Sequence, residues 1–306
     1  MNLWSLVTKL IISLGLVTTN VHYIPSINLV EDNSQVIIEQ QVLENFKNYP
    51  NKKDNKSLGV KIGSTSAIVM DVNTKAILWQ KNAHEVRSLA SITKLMTALV
   101  FLDTNPQWSN LVTMNRSDER NGGTAHILRG KKVRVKDLFN VSLIASDNNA
   151  INALVRSTGI ASEDYLDLMN NKAKELNLEN TNFVDFTGLN DKNKSTAFDI
   201  LKLSQEAFTK EEIVEVTKKK IYSFYDDTGK YYKILSTNKL LNSYLNVIAG
   251  KTGFTNAAGY CLVSEIENEY GHKILIVILN AESDDHRFQD LKILAGWILE
   301  NYFWSD

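Results

Sequence analysis

From residue 92 to 102 the chain is apolar almost without interruption, and Ile92, Leu95, Met96, Ala98, Leu99, Val100, Phe101 and Leu102 cover most of a helical wheel. A helix apolar along one stripe lies on a surface, whereas one that is apolar nearly all round has to be enclosed. The segment therefore predicts a central helix that other layers must surround. Ser91 stands at its first turn and Lys94 follows on the same face.

Upstream, residues 67–70 and 76–79 are apolar runs separated by the polar stretch 71–75, the pattern of two strands joined by a turn. Between roughly residues 135 and 210, helical periodicity recurs at 137–144, 148–156, 163–176 and 197–208. Residues 260–264 and 273–279 read as strands separated by 265–272, and residues 287–302 as a terminal amphipathic helix. Strands at both ends with helices between them predict an α+β fold. One antiparallel sheet is flanked by the first and last helices, a mainly helical lobe is inserted, and the active site is expected in the cleft between.

Residues 3–21 are mostly apolar with Lys9 as their only charge, and a polar run follows at 31–35. That pattern predicts an export signal or membrane anchor over residues 1–22 and an extracytoplasmic location in the cell envelope. The basic region is sparse and no small-x-small cleavage site stands out near residues 18–23, so a cleaved signal and an uncleaved anchor that holds the protein at the membrane both stay open. Residues 23–58 read as a short helix (Val36, Ile37, Val42, Leu43, Phe46) and a polar spacer with Pro50 as breaker. At 306 residues, 43% hydrophobic, the chain can bury one large core, and residues 59–306 are expected to form a single catalytic domain.

Lys and Arg total 34 against 35 for Asp and Glu, so overall charge gives no reason to expect nucleic acid as a partner. The single Cys261 excludes an intrachain disulfide and a cysteine-rich metal cluster. The five histidines form no His-Glu-x-x-His or Cys/His spacing, and neither a Gly-x-Ser-x-Gly elbow nor a phosphate-cradling Gly-x-x-x-x-Gly-Lys loop occurs. No metal and no cofactor is expected.

A serine hydroxyl is a weak nucleophile at neutral pH and needs a base within hydrogen-bond reach, which Lys94 at i+3 supplies to Ser91. By itself Ser-x-x-Lys arises by chance about once in a chain of this size, and Ser236-Thr237-Asn238-Lys239 repeats it. Setting separates the two, because only Ser91 opens a buried helix whose N–H groups and restricted water suit an oxyanion and a desolvated lysine. Ser146-Asp147-Asn148 at a junction between helical stretches and Lys251-Thr252-Gly253 at the start of an expected strand follow in order. Taken singly, the former reads as a helix cap and the latter as a strand start with a turn glycine.

Together the three motifs resemble the signature of penicillin-binding proteins and class A β-lactamases. The stretch 64–302 resembles the low-molecular-mass D-alanyl-D-alanine carboxypeptidases in particular, through Ala90-Ser91-Ile92-Thr93-Lys94-Leu95-Met96-Thr97, Thr237-Asn238-Lys239-Leu240-Leu241 and Gly250-Lys251-Thr252-Gly253-Phe254-Thr255. Asn149-Ala150 departs from that family's more frequent acidic residue before alanine, and Asp147 is more lactamase-like. The glutamate with which class A lactamases hydrolyse their acyl-enzyme is missing, its position holding Ala173 ahead of Leu176-Asn177. The sequence ends at the terminal helix, so the β-rich C-terminal domain that many of these carboxypeptidases carry is not expected.

The resemblance implies a β-lactamase/penicillin-binding transpeptidase-like fold and a serine peptidase that trims the terminal D-alanine from peptidoglycan stem peptides. Ser91 would be the nucleophile, Lys94 its base and Ser146 the proton relay. Asn148 would hold the substrate amide, Lys251 and Thr252 the terminal carboxylate, and Gly253 would give close approach. Backbone N–H groups of Ser91 and Phe254 would hold the oxyanion. Lys94 must be neutral, and both burial and a positive Lys251 are expected to lower its pKa. Implied partners are stem peptides ending in D-Ala-D-Ala and β-lactam antibiotics as covalent inhibitors. A β-lactamase, a D,D-transpeptidase and a catalytically silent peptidoglycan-binding protein remain the alternatives.

Overall fold

The structure, a computed structural model, describes residues 49–304. The expected export segment and the short helix at 36–46 lie outside the described residues.

Five strands form the antiparallel sheet: β1 (Ser66–Asp71), β2 (Ile77–Lys81), β5 (Asn246–Thr255), β6 (Gly259–Glu267) and β7 (Lys273–Ala281), in the order β5-β6-β7-β1-β2. A separate hairpin, β3 (Ile221–Tyr225) and β4 (Tyr231–Leu235), precedes β5. Strand β7 explains why part of the sheet reads as a continuous apolar run. Ile274, Ile276 and Ile278 face one core, Leu275, Val277 and Leu279 the other, so both faces are covered and no polar alternation remains. The first core is closed by the terminal helix α7 (Asp284–Asn301), through Phe288, Leu291, Leu294, Ala295 and Ile298. The second belongs to the helical lobe.

That lobe surrounds α1 (Thr93–Asp103), which is buried from Thr93 to Phe101 as its all-round apolar pattern requires. Helices α2 (Val135–Ile144), α3 (Asn148–Arg156), α4 (Ser162–Glu175) and α5 (Ala197–Ala207) appear within three residues of expectation, and α6 (Glu211–Thr217) is additional. The sheet differs more from expectation. Strand β5 starts at Asn246, which puts Lys251 in mid-strand, β6 extends to Glu267 into the interval read as a break, and β7 begins at Lys273 as expected and runs on to Ala281. Backbone pairing carries the ladder through the polar residues Glu265 and Glu267, opposite Leu275 and Lys273. Helix α7 starts three residues early because Ser283 caps it, its hydroxyl accepting from the His286 N–H at 3.2 Å. Within the expected spacer, Asn51–Lys52 pairs with Tyr302–Phe303. Among the described residues no helix is long and apolar enough to cross a membrane.

Candidate active site

Ser91 sits on a tight turn. A 3-10 turn over Ala90–Ile92 runs directly into α1, and Ala90 has φ of +47°, a left-handed conformation that L residues other than Asn and Asp seldom adopt. Packed beneath the turn is Gly188, with φ of +85°, where a Cβ would lie only 1.8 Å from the Ala90 carbonyl oxygen. Glycine alone permits that approach. The Asp185 carboxylate secures this second loop by accepting the backbone N–H groups of Thr187 at 2.8 Å, Gly188 at 2.6 Å and Asn190 at 2.7 Å.

One turn along α1, the Lys94 side chain is fully buried. Its Nζ lies 2.9 Å from Ser91 Oγ and donates to Asn148 Oδ1 at 2.6 Å and to the Thr187 carbonyl at 2.8 Å. A neutral amine has two N–H donors and one lone pair; the two carbonyl oxygens take the donors, which leaves the lone pair for the Ser91 hydroxyl proton. Burial lowers the Lys94 pKa from 10.5 to about 7, and the negative charges of Asp147 and Asp185 oppose that shift.

The second motif divides its labour. Ser146 takes φ of +60° between α2 and α3, and its hydroxyl accepts from Lys251 Nζ at 2.8 Å. Asp147 is the cap of α3, one oxygen accepting from the N–H groups of Asn149 at 2.8 Å and Ala150 at 2.9 Å, the other from His126 N–H at 2.7 Å. Asn148 donates through Nδ2 to the Gly122 carbonyl at 2.8 Å while its Oδ1 holds Lys94. The middle residue thus builds the turn, and its neighbours aim at the two lysines.

Lys251 is also fully buried and donates to the Thr252 carbonyl at 2.8 Å. Burial first, then the charges of Lys94 and Arg287, push its pKa well below the usual lysine value. Burial is the largest cause lowering the Lys94 pKa, and like-charge repulsion between the two buried lysines works against charging both. Among the described residues strand β5 pairs only with β6, which leaves its outer edge without a strand partner along the cleft. A Cβ on Gly253 would lie 3.1 Å from the Ser91 nitrogen and 3.2 Å from the Leu89 oxygen, which fixes how closely that edge meets the Ser91 turn.

These groups line a cleft of about 360 Å³ between sheet and lobe, with Ser91, Ser146, Asn148, Thr252, Gly253 and Phe254 on its walls and Lys94 and Lys251 behind them. The second Ser-x-x-Lys match is elsewhere engaged, since Lys239 Nζ lies 2.6 Å from Asp284 and 3.1 Å from Asp285 at the surface. Three participants were not identified from sequence. Thr187 enters through a backbone carbonyl, which no side-chain pattern announces. Thr237, whose Oγ1 lies 2.6 Å from Thr252 Oγ1, was noted only within a family-like stretch. Arg287 is buried, pairs with Asp284 and donates to the carbonyls of Gly253 at 2.9 Å and Cys261 at 3.2 Å. Among the described residues no cluster of His, Cys, Asp or Glu suits a metal ion.

The D-alanyl-D-alanine carboxypeptidase family model matches residues 51–283. The chain is 33% identical over 244 residues to a D-alanyl-D-alanine endopeptidase of Escherichia coli (strain K12), covering 78% of this chain and 77% of that protein. Its fold is similar to the crystal structure of the Streptomyces K15 DD-transpeptidase, with a TM-score of 0.75, 29% identity, and coverage of 80% of this chain and 100% of that one. It is also similar to penicillin-binding protein D2 from Listeria monocytogenes in its cefotaxime-bound form, with a TM-score of 0.71, 30% identity, and coverage of 79% of this chain and 100% of that one.

Proposed function

Because this chain belongs to the D-alanyl-D-alanine carboxypeptidase family, serine peptidases that act on the D-Ala-D-Ala peptides of peptidoglycan, we propose that it is a carboxypeptidase that removes the terminal D-alanine of a stem peptide through an acyl-enzyme on Ser91. The observation that carries this reading is the buried Lys94 amine, 2.9 Å from Ser91 Oγ with both remaining directions taken by carbonyl oxygens.

The stem peptide lies along the free edge of β5, with its amide held by Asn148 and its terminal carboxylate by Lys251 and Thr252. An incoming carboxylate favours the charged form of Lys251, and the repulsion between the lysines then keeps Lys94 neutral. Ser91 Oγ attacks the penultimate D-alanine carbonyl as its proton passes to Lys94. The N–H groups of Ser91 and Phe254 hold the oxyanion, a type of contact whose loss costs about 100-fold to 1000-fold in rate. Ser146, joined to Lys251 at 2.8 Å, relays the proton to the departing amine, and water then hydrolyses the ester.

A second reading, endopeptidase, is favoured by the 33% identity to the Escherichia coli endopeptidase. The same bond type breaks, and only the leaving amine differs. The reading also includes export: peptidoglycan lies outside the cytoplasmic membrane, so residues 1–22 act as signal or anchor, residues 23–58 as the connecting helix and spacer, and residues 59–306 form the catalytic domain. β-Lactams acylate the same serine.

The test incubates the protein with a labelled penicillin and with a pentapeptide ending in D-Ala-D-Ala. A long-lived adduct on Ser91 together with D-alanine release is expected, and both are lost in Ser91→Ala. Rapid adduct turnover would instead indicate a lactamase, transfer to an added amine a transpeptidase. Absence of both adduct and D-alanine release would leave a binding protein.

A further inference from the structure

Water that hydrolyses an acyl-enzyme has to lose a proton as it attacks, and the cleft wall has no carboxylate to take it. Of the described residues that line the cleft, none is Asp or Glu. Ala173, which holds the place of the class A lactamase glutamate, is buried within α4 and does not line the cleft. Lys94 is badly placed for this step. Its two N–H groups are held by Asn148 Oδ1 and the Thr187 carbonyl, and its lone pair points at Ser91 Oγ, which by then carries the acyl group. The amine is fully buried, so an attacking water meets no free face of it.

His126 does line the cleft, with 25% of its side chain exposed. Behind it stands Asp147, whose side chain is fully buried. Oδ2 of that carboxylate accepts the His126 backbone N–H at 2.7 Å and lies 3.1 Å from Nδ1. A carboxylate can only accept, so Nδ1 carries the ring proton and the lone pair is left on Nε2, at the edge of the ring turned away from Asp147. A histidine backed in this way is held in the tautomer and orientation that a general base requires. The loop before it is fastened to the site, because the Gly122 carbonyl accepts from Asn148 Nδ2 at 2.8 Å while Asn148 Oδ1 holds Lys94. The middle residue of the second motif thus has a use beyond the helix cap.

We propose that His126 is the base that deprotonates the hydrolytic water in deacylation, with Asp147 as its positioning residue. The proposal rests on the acyl-enzyme reading above and adds a catalytic residue to its second half. Once the amine has departed, water enters the space between His126 and the Ser91 ester. Its oxygen bonds to the acyl carbon as one O–H bond breaks, and the proton moves to Nε2. The C–Oγ bond then breaks and the imidazolium returns the proton to Ser91 Oγ, which leaves a carboxylic acid product and a free serine. In a penicilloyl adduct the expelled nitrogen stays attached to the acyl unit and fills that space, so the long adduct lifetime expected above stands.

The test uses a depsipeptide ending in D-Ala-D-lactate, an ester whose faster acylation leaves deacylation rate-limiting. In His126→Gln, kcat should fall about 100-fold, the low end of what a general base contributes, while kcat/KM, which reports acylation, stays at the wild-type value. Mass measurement of the quenched protein should show acyl-enzyme accumulating on Ser91, and labelled penicillin should acylate the variant at the wild-type rate. His126→Gly should show the same block, relieved by added imidazole. Asp147→Asn, whose amide would donate to Nδ1 and move the ring proton to Nε2, should also accumulate acyl-enzyme. A parallel loss in kcat and kcat/KM without accumulation would make His126 a purely structural residue and overturn the proposal. Wild-type kcat in His126→Gln would overturn it too, as would a block in His126→Gly that imidazole leaves in place. If the wild-type protein forms no penicillin adduct and releases no D-lactate, the acyl-enzyme reading itself fails.

Discussion

Replacing Gly188 by alanine should displace Ser91, the proposed nucleophile, without altering any side chain that lines the cleft. A Cβ there would be 1.8 Å from the Ala90 carbonyl oxygen, so it must retreat by at least about 1.2 Å to reach the 3.0 Å that real Cβ atoms observe. The atom it displaces is backbone, in the residue directly before Ser91, and no side-chain rotation relieves the contact. A misplacement of about 1 Å at a reacting group costs about 100-fold in rate. The left-handed φ of +85° adds about 1–2 kcal/mol of strain for any residue with a Cβ. Acylation by excess labelled penicillin should therefore slow about 100-fold or more in Gly188→Ala, with a lowered urea midpoint. Gly253→Ala meets Ser91 N at 3.1 Å and needs shifts of only a few tenths of an ångström, so its loss should be distinctly smaller. Gly296→Ala, within α7 and with nothing inside 4 Å of its Cβ, should gain about 1 kcal/mol and leave acylation unchanged. If Gly188→Ala acylated within threefold of wild type at unchanged stability, the packing of the two turns would not be what positions Ser91.

Acylation should rise with pH and level off above about 7, because Lys94 has to be neutral and its pKa is lowered to about 7; below that point the neutral fraction falls about tenfold per pH unit. Asp147→Asn keeps a capping side chain but removes a charge that raises the Lys94 pKa, so the acid limb should move to lower pH. A limb that stayed in place or moved upward would contradict the assignment. Lys239→Ala, which removes the surface ion pairs to Asp284 and Asp285, should leave stability little changed and the penicillin adduct rate intact; loss of the adduct would shift the base to the wrong motif. Phe101→Ala, in the fully enclosed part of α1, should cost about 3–5 kcal/mol in urea unfolding, and a cost under about 1 kcal/mol would deny that helix its central place.

The lobe was legible because its determinants are local. An all-round apolar helix has to be enclosed, and the helical periodicities of α2 to α5 survive whatever packs against them. The three motifs were legible as types and in their order. Strand limits were less so: Lys251 was expected to start its strand, yet β5 begins at Asn246 and the ladder with β6 runs through Gly250, because pairing is a property of two strands at once. Choosing Ser91 over Ser236 was possible from sequence, since only one of them opens a buried helix.

What sequence alone determined about this protein was which residues have the chemistry and which helix must be buried, since both follow from side-chain identity and spacing along one segment. Tertiary structure alone decided how that chemistry is tuned. The Thr187 carbonyl on Lys94, the Gly188 backbone under Ala90, the Arg287 guanidinium on Gly253 and the second hydroxyl at Thr252 join segments far apart in the chain. Burial, which lowers both lysines, likewise belongs to the assembled layers. Desolvation and backbone approach depend on what surrounds a residue in space, and that is specified only when the sheet closes on the lobe.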